Sequence, residues 1–92
     1  METRQILHHD GAQLNYWLSL PGGAKQSLVM LHGVASNHTR WSEFVTHSRL
    51  TASWNLLRPD LRGNGDSVFH GRINRSRWVA DLKAIMDHEA LP

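Results

Sequence analysis

Two short segments hold residue types whose order could do chemistry. His32-Gly33-Val34-Ala35-Ser36-Asn37 follows one apolar run, and Asp60-Leu61-Arg62-Gly63-Asn64-Gly65-Asp66-Ser67 follows another. In the first, a glycine at the end of a strand lets the backbone turn sharply, so that the next N–H faces a pocket instead of a sheet neighbour. An N–H placed there, close to a helix start, is a donor for a developing oxyanion. In the second, Gly63 and Gly65 between short polar residues describe a tight loop.

No segment offers a nucleophile in a working setting. A Gly-x-Ser-x-Gly elbow does not occur. Ser36 is followed by Asn37-His38 and lacks the second glycine. Asp87 and His88 adjoin on a predicted helix and point about 100° apart, so they cannot form a relay with Ser67 by spacing alone. Gly65-Asp66-Ser67-Val68 resembles the Gly-Asp-Ser-Leu signature of one esterase family. That family sets the motif directly after a buried strand and draws its base from Asp-x-x-His. Here Arg62-Gly63-Asn64 precedes it and no Asp stands three before a His, so Ser67 reads as structural. The seven His give no metal set. His8 and His9 fall on opposite faces of a strand. His38 and His47 have neither Cys nor carboxylate at ligand spacing. All but His32 read as surface or loop imidazoles, and neither metal nor cofactor is expected.

The elements that must position these loops follow from punctuation and periodicity. Residues 5–9 suit a short strand ending at Asp10-Gly11, a hairpin turn pair. Leu14, Tyr16 and Leu18 alternate with polar neighbours, the period of a half-buried strand. Pro21-Gly22-Gly23 closes the hairpin. Residues 27–31 are apolar after Ser27, which predicts a strand covered on both faces. Trp41, Phe44, Val45 and Ser48 lie at helical spacing, with Asn37 or Thr39 as the cap. Residues 54–58 form the next strand, stopped by Pro59, and residues 60–71 form a loop that also carries Gly71. From about Asn74, an apolar stripe of Trp78, Val79, Leu82, Ile85 and Met86 marks a helix. Arg77 with Asp81 and Lys83 with Asp87 are assigned to its wet face. Trp41, Trp54 and Trp78 read as packing residues, and Trp17 as lying on the other face of the hairpin. The order β-β-β-α-β-α predicts a hairpin followed by a parallel strand–helix–strand crossover, with function at the carboxyl ends of the parallel strands.

Composition fits one small domain. The 92 residues are 40% hydrophobic and 20% charged, with no Cys, which excludes a disulfide-stapled fold and a thiolate site. A net charge of +2 and scattered arginines, clustered only at Arg72, Arg75 and Arg77, argue against a nucleic-acid face. The longest clean apolar run is residues 28–31, and only Ile6 and Leu7 follow the polar start. Neither a membrane span nor a secretory leader is expected, and the cytoplasm is the predicted compartment.

A strand ending in His32-Gly33, a short helix, then a strand ending in Asp60-x-Arg62-Gly63-x-Gly65-x-Ser67 resembles the N-terminal part of an α/β-hydrolase, over residues 4–92. The resemblance implies an α/β fold: residues 1–92 as a partial domain that stops before the nucleophile strand, leaving residues 28–31 as an open edge. It implies that the backbone N–H of Val34 contributes to the oxyanion hole, that His32 and Gly33 shape its loop, and that residues 60–67 brace neighbouring loops. A nucleophile–His–acid triad would lie beyond this chain and act on a small ester-like or related substrate. The chain alone is then expected to be inactive. A non-catalytic binding or receptor member of the fold and a truncated product without activity are the alternatives.

Overall fold

The computed structural model describes residues 2–33, 37–67 and 74–91. Strands β1 (Glu2–His9) and β2 (Ala12–Ser19) form the hairpin. Asp10 and Gly11, at φ 47° and 80°, make its turn. Two successive left-handed residues give the twist that matches a tight hairpin. Pairing runs from Glu2 opposite Ser19 to His9 opposite Ala12, so β1 starts earlier than apolarity alone indicates.

Strand β3 (Ser27–Val29) leads into the first loop. A 3-10 turn (His38–Trp41) opens helix α1 (Ser42–His47), and a second (Arg49–Ala52) returns the chain to strand β4 (Asn55–Pro59). Asn37 is the cap, its side chain accepting the Thr39 N–H at 2.9 Å. Helix α2 (Arg75–Glu89) closes the chain, with Asn74 accepting from the Arg77 N–H at 2.9 Å. The sheet order is β1-β2-β4-β3, with β4 antiparallel to β2 and parallel to β3.

The core forms where Leu14, Tyr16 and Leu18 of β2 and Leu57 of β4 meet Ile85 of α2, with Ala12 beside them. Three expectations change here. The strand buried along its whole length is β4, not β3. Of these two strands, β4 has a neighbour on each side, whereas β3 is an edge whose residues are half-buried and lead to an exposed Leu31. Pro59 ends β4 from within, paired with Tyr16, and Trp54 falls outside the strand. On α2, Asp81 is 3% exposed and Val79 is 61% exposed, the reverse of the predicted faces. Asp81 stands three after Trp78 and four before Ile85, so helix geometry turns it inward. Lys83 and Asp87 do pair on the wet face, at 2.8 Å.

Candidate functional site

The loops after β3 and β4 leave the same end of adjacent parallel strands, because parallel pairing puts both carboxyl ends together. They are joined by side chains rather than by mere proximity. His32 is buried, with Nε2 accepting the Leu61 N–H at 2.9 Å. Its Nδ1 lies 2.6 Å from the Gly33 carbonyl oxygen. A backbone N–H can only donate and a carbonyl can only accept, so the ring is the neutral tautomer protonated at Nδ1. Trp41 closes the loop from the other side, donating its indole N–H to the Leu31 carbonyl at 3.0 Å.

Asp60 is the second fastening. Its carboxylate, 1% exposed as a residue, accepts the His38 N–H at 2.6 Å and its ring Nδ1–H at 2.8 Å on one oxygen. The other oxygen accepts the Asp66 N–H at 2.9 Å. The His38 ring stacks on Trp17 with centroids 3.3 Å apart, and the Arg4 guanidinium lies 5.6 Å from the Trp17 ring centre. His38 and His9 are thus not free surface imidazoles: His9 Nδ1 meets Asp81 at 2.9 Å. Burial of the carboxylates draws both rings in, because a buried charge must be paired.

Every named residue of the 60–67 loop has a structural task. Arg62, 0% exposed, grips Asp81 with two hydrogen bonds of 2.8 and 2.7 Å. It also donates to the carbonyls of Asp10 and His9 at 3.0 and 3.1 Å. The hydrogen bonds to Asp81 raise the Arg62 pKa further, against the opposing effect of burial. The hairpin turn and α2 are therefore fastened to one guanidinium. Trp78 completes the link by donating its indole N–H to the Arg62 carbonyl at 3.1 Å. Gly63 and Gly65 take φ of 82° and 52°, and a Cβ at Gly65 would lie 2.5 Å from the Asp60 carboxyl carbon.

Ser67 is excluded as a nucleophile by its bonding. Its hydroxyl, in a residue 0% exposed, accepts the Asn15 N–H at 2.8 Å and donates to the Asp60 carbonyl at 2.6 Å. Proton and lone pair are both committed. Asn15 answers for the loop from β2: its side-chain amide donates to the Asp66 carbonyl at 2.6 Å and its oxygen accepts from Arg4 at 2.8 Å. Sequence alternation assigned Asn15 to an outward face. Nothing in the pattern marks it, because a polar residue on an alternating strand reads as solvated until a second layer covers it.

Of the expected oxyanion-loop residues, His32 and Gly33 are placed as above. Val34, the expected donor, lies outside the described residues, as do Ser36, Gly71 and Arg72. Gly33 lacks a left-handed φ, and a Cβ there would meet nothing within 4 Å. No group of His, Asp and Glu there is arranged to hold a metal ion. Among the same residues, no helix is long and apolar enough to cross a membrane.

No protein-family model and no curated protein matches the sequence itself. Solved structures do match the fold. The ligand-free epoxide hydrolase CorEH superimposes with a TM-score of 0.81 at 24% identity, over 96% of this chain and 30% of its own. A hydrolase from Pseudomonas aeruginosa PA01 gives 0.76 at 28% identity, over 95% of this chain and 32% of its own. A serine hydrolase from the polyaromatic hydrocarbon-degrading bacterium Cycloclasticus zankles gives 0.81 at 17% identity, over 98% and 34%. The chain therefore spans about a third of the length of these structures, and its hairpin, crossover and two fastened loops are the N-terminal portion of the α/β-hydrolase fold.

Proposed function

We propose that this chain supplies the oxyanion-loop side of a hydrolase active site, and that the complete protein cleaves an ester or related bond in a small molecule. The nucleophile, its His and its acid would come from segments outside these residues, with the backbone N–H of Val34 as one oxyanion donor. The observation that supports this reading is the bracing of the loop after β3: Trp41 holds Leu31, and Leu61 and Asp60 of the loop after β4 hold His32 and His38. Preorganised donors stabilise a transition state because they need not reorganise as charge develops. Such fastening has no evident use in a loop with no partner to orient. A cytoplasmic enzyme without metal or cofactor, binding neither nucleic acid nor membrane, completes the proposal.

The test is an active-site titration of the complete protein with p-nitrophenyl acetate and, in parallel, with an epoxide. A stoichiometric burst, with the acyl or alkyl group found by mass spectrometry outside residues 1–92, is the expected result. An acyl group on Ser67, or binding of a small molecule without turnover, would overturn it. The second outcome would make the protein a binding member of the fold.

A further inference from the structure

We propose that the outer edge of β1 is where two copies of the chain pair, antiparallel, with Gln5 on the two-fold axis. The inference stands apart from the hydrolase reading, since β1 and the loop-bearing β3 lie at opposite edges of the sheet.

Backbone direction on β1 follows from its partner β2. Asn15 turns its backbone towards β4 and the loop after it: its N–H meets the Ser67 hydroxyl at 2.8 Å and its carbonyl accepts the Asp60 N–H at 2.9 Å. Successive residues of an antiparallel strand address alternate neighbours, so Ala12, Leu14, Tyr16 and Leu18 address β1. Their partners across the hairpin are His9, Leu7, Gln5 and Thr3. A two-residue turn that closes on a hydrogen-bonded His9–Ala12 pair gives the same assignment. The N–H and C=O groups of Glu2, Arg4, Ile6 and His8 therefore point away from the sheet, and no described strand pairs with them.

Natural sheets blunt such an edge with short strands, proline, lysine, bulges or charged side chains. β1 is 8 residues long, holds neither Pro nor Lys, and pairs with β2 without a break from Glu2 to His9. Its acid and its arginine do not guard the edge, because both are drawn back over their own sheet. Glu2 binds Arg58, and Arg4 binds Asn15 and lies against the Trp17 ring. Between them Ile6 is 49% exposed.

The strand complements itself in one register. Outward groups can bond only to outward groups, so Glu2, Arg4, Ile6 and His8 must lie opposite one another. Setting Glu2 opposite His8 and Arg4 opposite Ile6 uses all of them in both copies. The Arg4 stem then covers Ile6, and Gln5 faces its own copy. A two-residue slip one way leaves His8 unpaired and sets Arg4 against Arg4, a like-charge opposition that destabilises. The slip the other way leaves Glu2 unpaired and sets Arg4 against His8. A surface that maps onto itself about an axis is what a two-fold dimer requires, and it commits the occupant to a second copy of this chain.

Sedimentation equilibrium of the chain should show a reversible dimer. Because the chain has no Cys, single cysteines read the register. Gln5→Cys should form an intermolecular disulfide in air, since opposed residues of a non-hydrogen-bonded pair have Cα atoms about 4.5 Å apart. Arg4→Cys and Ile6→Cys would lie about 7–8 Å from their own copies and should stay mostly reduced. Ile6→Pro removes an outward N–H, which an edge strand tolerates. It should weaken the dimer about tenfold or more through the bonds lost in both copies, with the near-UV circular dichroism of the fold retained. Should Ile6→Pro lose its fold, the cysteine series decides. A monomer at every concentration, crosslinking strongest at residue 4 or 6, equal crosslinking at all three sites, or a folded Ile6→Pro protein that dimerises like wild type overturns the proposal. Association through β3 would give a wild-type dimer with no disulfide in Gln5→Cys, and that result overturns it as well.

Discussion

Replacing Gly65 with alanine puts a methyl group where the Asp60 carboxylate already is. The added Cβ would lie 2.5 Å from both the carboxyl carbon and Oδ2 of Asp60, and 2.8 Å from Oδ1. Nor can the carboxylate move aside cheaply, because it holds His38 and the Asp66 N–H. Left-handed backbone at φ 52° adds its own cost. Strain at such a φ is about 1–2 kcal/mol, and overpacking a tight site adds about 1–3 kcal/mol. At about 4–8 °C per kcal/mol for a domain of this size, the melting midpoint should fall by at least ~8 °C. Gly22→Ala supplies the reference, since φ there is 87° and a Cβ would meet nothing within 4 Å. It isolates the backbone term. Gly33→Ala carries neither penalty and should melt within about 0.5 kcal/mol of wild type. Near-UV circular dichroism during thermal unfolding reads all three. A Gly65→Ala protein that melts together with Gly22→Ala would refute the clash.

Three further outcomes are expected. Arg62→Met should cost about 3–5 kcal/mol in urea unfolding, because it removes the buried Asp81 carboxylate's guanidinium and leaves it His9 alone; a loss under about 1 kcal/mol would contradict this. Ser67→Ala leaves the Asn15 N–H and the Asp60 carbonyl without their hydroxyl and should cost about 1–3 kcal/mol, with no change in the ester burst of the complete enzyme. Tyr16 gives an alkaline signature: burial first, then its hydrogen bond to Glu89, raise its pKa well above the ordinary 10.0. The unfolded chain then loses this proton more readily than the folded one, so stability holds below about pH 10 and declines as pH rises further. As the chain's one tyrosine, it can be followed at 295 nm, and ionisation should coincide with unfolding. Reversible ionisation near pH 10 with the fold intact would be the opposite result, and Tyr16→Phe should flatten the alkaline limb.

How far the sequence reveals this structure depends on whether a residue's task is local. The Asp10-Gly11 turn, the Asn37 cap and the start of α2 near Asn74 are legible because each acts within a few residues of itself. The two loops are legible because glycine spacing and strand ends are local features. Asp81 was misplaced because its partner Arg62 is 19 positions away, and a charge beside Arg77 looks solvated until the distant guanidinium is known. Asn15 fails for the same reason, its side-chain amide reaching the Asp66 carbonyl 51 positions on. Likewise, edge and centre cannot be told from the apolarity of β3 and β4, since strand order is a property of pairing: the cleaner apolar run, residues 28–31, leads along the edge, and the run with Asn55 and Arg58 is central.

The loop of residues 60–67 also bears on how such a protein can change over time. The Asp60 carboxylate, the Arg62 guanidinium and the Ser67 hydroxyl are all buried and bonded to other groups of the chain, so none of the three is available to touch a substrate. A mutation here therefore risks folding and offers no new chemistry in return, while segments elsewhere can vary their reactive groups without disturbing it. A framework closed on itself in this way is constrained in sequence by the fold it holds and not by the chemistry beside it.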